Sequence, residues 1–249
     1  MSTKRTTQRQ QRFWVIFLIL ILLFLGCALL SLSWGSFSIN LSDIFRVLAG
    51  NGTKNQNTAI FGIRLPRIVM GILVAAALAC AGCILQTETK NDLADPGIIG
   101  INAGGATAAV LFIQMQTQNY YSELGNLSIF LLPILAMLGA LIAAAVIYLL
   151  SCRGGLRPRR LLLVGIGMNA GLNALITFFT YTGSVGEYNR VLTWISGSLW
   201  GSGWTYVQVL TPIVVILFCY VLYHHKTLDV MQFSDELVIG WGKNVNKER

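Results

Sequence analysis

Charge is what this chain has least of. Of its 249 residues only 11% are Asp, Glu, Lys or Arg, while 55% are hydrophobic. That balance excludes a soluble domain and belongs to a polytopic membrane protein. Six apolar runs, at 13–32, 68–85, 97–115, 127–150, 161–181 and 205–223, contain none of those four residue types. Proton pumps and many ion-coupled carriers keep ionisable groups at membrane depth because those groups do the coupling, so a secondary carrier is disfavoured. HExxH, GxSxG and Walker-type GxxxxGK(S/T) patterns are also missing, which leaves hydrolase and ATPase chemistry without a seat. No catalytic residue, metal ligand or cofactor is expected. A solute moved against a gradient must therefore draw its energy from another subunit.

Cysteine is sparse as well. Cys27, Cys80, Cys83, Cys152 and Cys219 all lie inside or at the end of apolar runs, as small packing residues rather than a disulfide framework. Cys80 and Cys83 form a CxxC, but no second pair or nearby His completes a metal site. The only histidines, His224 and His225, are adjacent and point in different directions on a helix, which suits an interfacial position better than ligation. The net charge of +8 is broken into short segments between apolar runs, so nucleic acid is not an expected partner.

What is present is a run of helix-length segments. The six runs predict an all-α, polytopic transmembrane bundle of about six spans, each near the roughly 20 residues a bilayer core requires. The first run exceeds a signal-peptide core and lacks a clean cleavage site, so it reads as an uncleaved anchor. With the N-terminus inside, inner segments hold thirteen of the eighteen Lys and Arg residues; the outer five are Arg46, Lys54, Arg64, Arg67 and Arg190. Such a bias fits a cytoplasmic N-terminus. Trp194, Trp200 and Trp204, in "VLTWISGSLWGSGW", predict a short interfacial helix, the alternative being a longer sixth span. Pro212 is expected to bend the sixth span or mark its first turns.

Two stretches carry more specific information. In "RLPRIVMGILVAAALACAGCILQ" (64–86), Arg64 and Arg67 bracket Leu-Pro before eighteen residues without charge. Gly71, Ala75, Ala76, Ala77, Ala79, Ala81 and Gly82 make that span a close packer among helices. The second stretch, "LQTETKNDLADPGIIGINAGGATAAV" (85–110), joins the second and third spans on the inner side. Its Gly100, Gly104 and Gly105 follow no strand and open a membrane helix, so close packing is expected there and not a phosphate cradle.

These stretches resemble the FecCD permease family, the membrane subunits of bacterial ABC importers for iron-siderophores, haem and cobalamin. The resemblance rests on Arg64-Leu65-Pro66-Arg67, Leu85-Gln86, Asn91-Asp92-Leu93-Ala94, Pro96, Ile99-Gly100 and Gly105-Ala106. "RLLLVGIGMNA" (160–170), "WISGSLWGSGW" (194–204) and "LDVMQFSDELVIGWG" (228–242) are similar to later family segments. Asp92 replaces the family's usual Pro, and Ser234 its usual Gly. The family has about ten spans, so the chain matches an N-terminal part. It is expected to be half of a split permease or a truncated product, and not to transport alone.

The resemblance implies a permease that passes an iron chelate or related metal complex through the bacterial inner membrane. Its implied partners are an ATP-binding ABC subunit, a periplasmic or lipid-anchored substrate-binding protein, and a second permease copy or separately encoded remaining half, together with membrane lipid. Residues 1–226 would form the membrane region and 227–249 a cytoplasmic, ATPase-facing segment. Arg64 and Arg67 would meet acidic residues of the binding protein, the alternative being lipid anchoring. Asn91 and Leu93 would help close the cytoplasmic end of the pathway, the alternative being an ordinary turn with Asn91 as a helix cap. Asp235, Glu236, Gly240 and Gly242 would shape a short helix that couples to the ATPase, the alternative being an exposed tail that frays.

Overall fold

A computed structural model describes residues 2–35, 38–115, 128–152, 157–233 and 235–240. Among them the regular structure is all helical, joined by turns and loops. The elements are α1 (Ser2–Ser33), α2 (Leu41–Leu48), α3 (Lys54–Asn57), a π-helical segment (Thr58–Arg64), α4 (Leu65–Thr89), α5 (Ile101–Met115), α6 (Ser128–Ser151), α7 (Pro158–Thr182), α8 (Val185–Ile195), α9 (Trp204–Met231) and α10 (Asp235–Gly240). Five of these stretches are long and apolar enough to cross a membrane: Gln10–Ser33, Lys54–Thr89, Phe130–Ser151, Pro158–Thr182 and Trp204–Met231.

The third expected span differs from the others. Among the described residues its helix is the 15 residues of α5, about 22 Å long at 1.5 Å per residue. Residues 97–100, expected as part of that span, form turns instead. The Trp-rich stretch also divides differently. A helix ends at Ile195, residues 196–203 turn, and α9 begins at Trp204 with Pro212 inside it.

The chain forms two compact units, residues 1–74 with 199–213, and residues 75–198 with 214–249. In the first unit, Leu32 of α1, Ile39 before α2, Ile44 and Val47 within α2, and Ile60 of the π segment make one buried cluster. The three-residue spacing of Ile44 and Val47 puts both on one face of α2, while Leu41, Phe45 and Leu48 stay exposed. A capping box of Thr53 and Gln56 starts α3.

In the second unit α5 is central. Its Ala103, Val110 and Ile113 pack with Ile176 of α7 and Val191 of α8. It also lies against α6 through glycine. An added Cβ at Gly104 would stand 2.3 Å from the Ala143 Cβ and 2.8 Å from the Gly139 carbonyl. No side chain fits in that gap, and the small-residue expectation for Gly104 and Gly105 holds for this reason. Hydroxyls of Thr107, Ser151 and Thr180 donate to the carbonyl four residues back, which satisfies them without solvent.

Candidate functional site

Pro66 organises the first unit's polar cluster. Proline has no N–H and its ring crowds the carbonyl four residues earlier. The chain accommodates it with π-type bonding over Thr58–Arg64, in which the Leu65 N–H reaches Ile60 O. The next carbonyl, that of Phe61, would look to residue 66 and finds proline. The indole N–H of Trp204 donates to it instead, at 2.7 Å. An orphaned carbonyl is costly away from water, so this bond anchors the start of α9.

The two arginines beside Pro66 do different jobs. Arg64 is only 8% exposed, and its Nη1 donates to the carbonyls of Leu32 and Ser33, the latter at 3.3 Å. Those carbonyls end α1, whose last turn has no basic residue of its own. A guanidinium from elsewhere in the chain thus satisfies groups that every helix C-terminus leaves open. Gly35 makes room, since a Cβ there would lie 2.8 Å from an Arg64 nitrogen. Arg67 is half-buried. Its guanidinium carbon sits 5.2 Å from the centroid of the Trp200 ring, and its Nε is buried without a hydrogen-bond partner among the described residues. Gly201, at φ +89°, permits the turn that carries Trp200.

In the second unit, the loop after α4 is a tied structure. Lys90 takes a positive φ of 51°, and the Asn91 N–H donates to Gln86 O at 3.2 Å. The Asn91 carboxamide oxygen accepts from the Leu93 N–H at 3.0 Å. This is an Asx turn rather than a helix cap, because turns and not a helix follow. Gln86 Nε2 donates to the Asp92 carbonyl at 3.0 Å, so aspartate in place of proline leaves that turn held from both sides. Leu93 is 85% exposed at its tip. The far end of the loop is clamped to α7. An added Cβ at Gly165 would lie 3.0 Å from the Ile99 Cα, and one at Gly100 (φ +88°) 2.8 Å from the Asn169 nitrogen.

The helix expected near the C-terminus is present as α10, described over Asp235–Gly240. Val238 is buried against Met231, while Glu236, Leu237, Ile239 and Gly240 are exposed. Gly242 and Ser234 lie outside the described residues. An added Cβ at Gly240 meets nothing within 4 Å. Gly240→Trp is therefore expected to leave the chain's own stability unchanged, within about 0.5 kcal/mol. If α10 meets an ATPase, the substitution should reduce recovery of that partner in affinity purification at least severalfold. Full recovery would remove Gly240 from any such contact.

Sequence reasoning paired Arg64 with Arg67 and Asn91 with Leu93, and both pairs are neighbours here. It missed Trp200 over Arg67, the Trp204–Phe61 bond and the Gln86 tie. The missing N–H of Pro66 was the available signal for the second of these.

The sequence model of the FecCD transport family matches residues 18–249. The chain is 42% identical over 235 residues to the iron(3+)-hydroxamate import system permease protein FhuG of Bacillus subtilis, covering 94% of this chain and 68% of that one. It is 33% identical to the Fe(3+)-citrate import system permease protein YfmE of the same organism, covering 99% and 71%. Among solved structures, a transporter assigned to the metal-chelate ABC type, in an inward-facing conformation, superimposes with a TM-score of 0.76. The match has 24% identity and covers 92% of this chain and 68% of that one.

Proposed function

The chain belongs to the FecCD transport family, and from that premise we propose that it is the membrane-spanning permease subunit of an ABC importer for iron(III) chelates. The observation that carries the proposal is the ordered family match over 18–249, together with permease relatives named for ferric hydroxamate and ferric citrate. Five helices of membrane-crossing length and composition support it. ATP hydrolysis belongs to a partner subunit, and a substrate-binding protein delivers the chelate. The excess of Lys and Arg in alternate segments supports a cytoplasmic N-terminus in a bacterial inner membrane.

Each part of the site then has a role. Arg67, stacked on Trp200, offers a cation to an acidic patch on the binding protein, and Arg64 contributes by fixing the end of α1 beneath it. The Gln86–Asn91 ties hold Leu93 outward, an apolar tip suited to closing the inner end of the pathway against a second permease copy. α10 presents Glu236 and Gly240 to the ATPase.

The test is deletion of the gene for this chain in its native cell. Uptake of radioactive iron should fall at least tenfold for one class of chelate and return when the chain is supplied in trans. Unchanged uptake of every iron chelate, with or without the chain, would overturn the reading.

A further inference from the structure

The short helix α2 carries more apolar surface than its packing uses. At about 100° per residue its side chains fall into three sectors. Ile44 and Val47 are buried in one cluster with Leu32 and Ile60. Leu41, Phe45 and Leu48, at i, i+4 and i+7, form a second apolar stripe that stays 53%, 61% and 49% exposed. Ser42, Asp43 and Arg46 fill the remaining sector, roughly 150° from the centre of that stripe. A helix lying flat on the flank of a membrane bundle needs this division, with one side against protein, one toward hydrocarbon and one toward water.

Hydrogen bonds to the end of α1 fix the height of α2. The Ile39 N–H donates to the Ser33 carbonyl at 3.2 Å, and the Ser33 hydroxyl donates to the Ile39 carbonyl at 2.8 Å. The chain thus leaves α1 and returns to the level of Ser33 just before α2 begins. Ser33 is the last residue of the membrane-crossing stretch Gln10–Ser33, and Leu32, which shares the cluster with Ile44 and Val47, lies inside it. α2 therefore sits where hydrocarbon gives way to headgroups. Trp34, 80% exposed one residue past α1, stands at the same level, where tryptophan is favoured. With the N-terminus cytoplasmic, as proposed above, this is the outer boundary.

An exposed apolar stripe fits either a soluble protein or the bilayer, and two observations choose the bilayer. A protein arriving from water would meet Ser42, Asp43 and Arg46 first, because these lie on the side of α2 away from the stripe. The stripe is also continuous with a surface that must face lipid. α1 exposes Leu22, Leu23, Leu25 and Leu30 along its membrane-crossing length, and Leu41, Phe45 and Leu48 extend that apolar surface past the helix end. Arg46, exposed in the last turn of α2, has a stem long enough to run along apolar surface while its head stays among phosphates.

We propose that α2 is an interfacial anchor, in which Leu41, Phe45 and Leu48 insert among the acyl chains of the adjoining phospholipid leaflet and Arg46 pairs with its phosphates. Because Ile44 and Val47 cluster with Leu32 and Ile60, the anchor sets the height of the α1 turn whose carbonyls Arg64 holds. The inference rests on α1 crossing the membrane and is independent of the solute carried.

The test uses the tagged full-length chain in its native cell, with p-benzoylphenylalanine replacing Leu41, Phe45, Leu48 or Asp43 one at a time. After irradiation, mass analysis of the purified chain should find phospholipid adducts at the three stripe positions, about fivefold or more above the yield at Asp43 on the polar side. Adducts mainly with protein at the stripe, whether a binding protein or a second copy of this chain, would overturn the lipid assignment. Phospholipid yields equal at all four positions would overturn it too. A second measurement places the full-length chain in nanodiscs of phosphatidylethanolamine and phosphatidylglycerol. Phe45→Cys should react with a charged maleimide about tenfold more slowly than Arg46→Cys, once the signal of the five native cysteines is subtracted. Equal rates would show that Phe45 faces water and would overturn the anchor.

Discussion

Gly139→Val is expected to separate α5 from α6 and to remove most folded protein from detergent-solubilised membranes. An added Cβ at Gly139 would already stand 2.5 Å from the Ala108 Cβ and 2.6 Å from the Gly104 carbonyl. Both distances lie far inside van der Waals contact, and one of the atoms is backbone, which cannot swing away. Relief requires the helices to move apart over their whole contact, losing dispersion along both. Overpacking of this kind typically costs about 1–3 kcal/mol and more where backbone is hit, so valine is placed at or above ~3 kcal/mol. Gly104→Val should behave alike, as it fills the same gap from the other side. The control is Gly167→Ala in α7, where an added Cβ meets nothing within 4 Å. Removing a helix-interior glycine there should be neutral or stabilising by up to about 1 kcal/mol. Thermal melting by size-exclusion fluorescence gives the comparison. A Gly139→Val protein melting with wild type would show that the α5–α6 approach is not needed.

Charge reversal at the two arginines is the second large effect, and it should split cleanly. Arg64→Glu deprives the Leu32 and Ser33 carbonyls of their donor and sets a carboxylate against the negative end of α1. Leaving buried acceptors unmade costs about 1–3 kcal/mol before the repulsion is counted, so reduced stability and poor membrane yield are expected. Arg64→Ala should show the first part of that loss alone. Arg67→Glu forfeits the stacking on Trp200, about 0.5–1 kcal/mol, and should leave the fold standing. Its effect should appear in binding-protein association measured in nanodiscs. The on-rate should be slower at low salt, and the difference should shrink as ionic strength rises. An Arg67→Glu complex that forms at the wild-type rate at low salt would exclude that arginine from docking. An Arg64→Ala protein as stable as wild type would exclude the α1 anchor.

The amino-acid sequence by itself determined the class of this protein and the approximate positions of its five long apolar helices. Backbone groups in hydrocarbon must bond within their own segment, so an uncharged apolar run such as 68–85 has one stable form available whatever surrounds it. The same local logic reaches the short helix at 235–240, whereas the glycines of α5 were legible as close packers without their partners, Gly139 and Ala143 of α6. The family resemblance was legible for a related reason: its motifs are contiguous stretches.

Tertiary structure alone decided what each polar side chain does. Arg64 and Arg67 are three residues apart and look equivalent as letters. The π segment before Pro66 and the end of α1, more than thirty residues away, make one an internal anchor and leave the other stacked on Trp200. Asn102 and the Asn169–Asn173 pair are unremarkable in their own segments. They share a cavity because Gly100 and Gly165 let the 97–102 loop press onto the middle of α7. Hydrogen bonds and charges act over a few ångströms in space, and distance along the chain does not report which groups come that close.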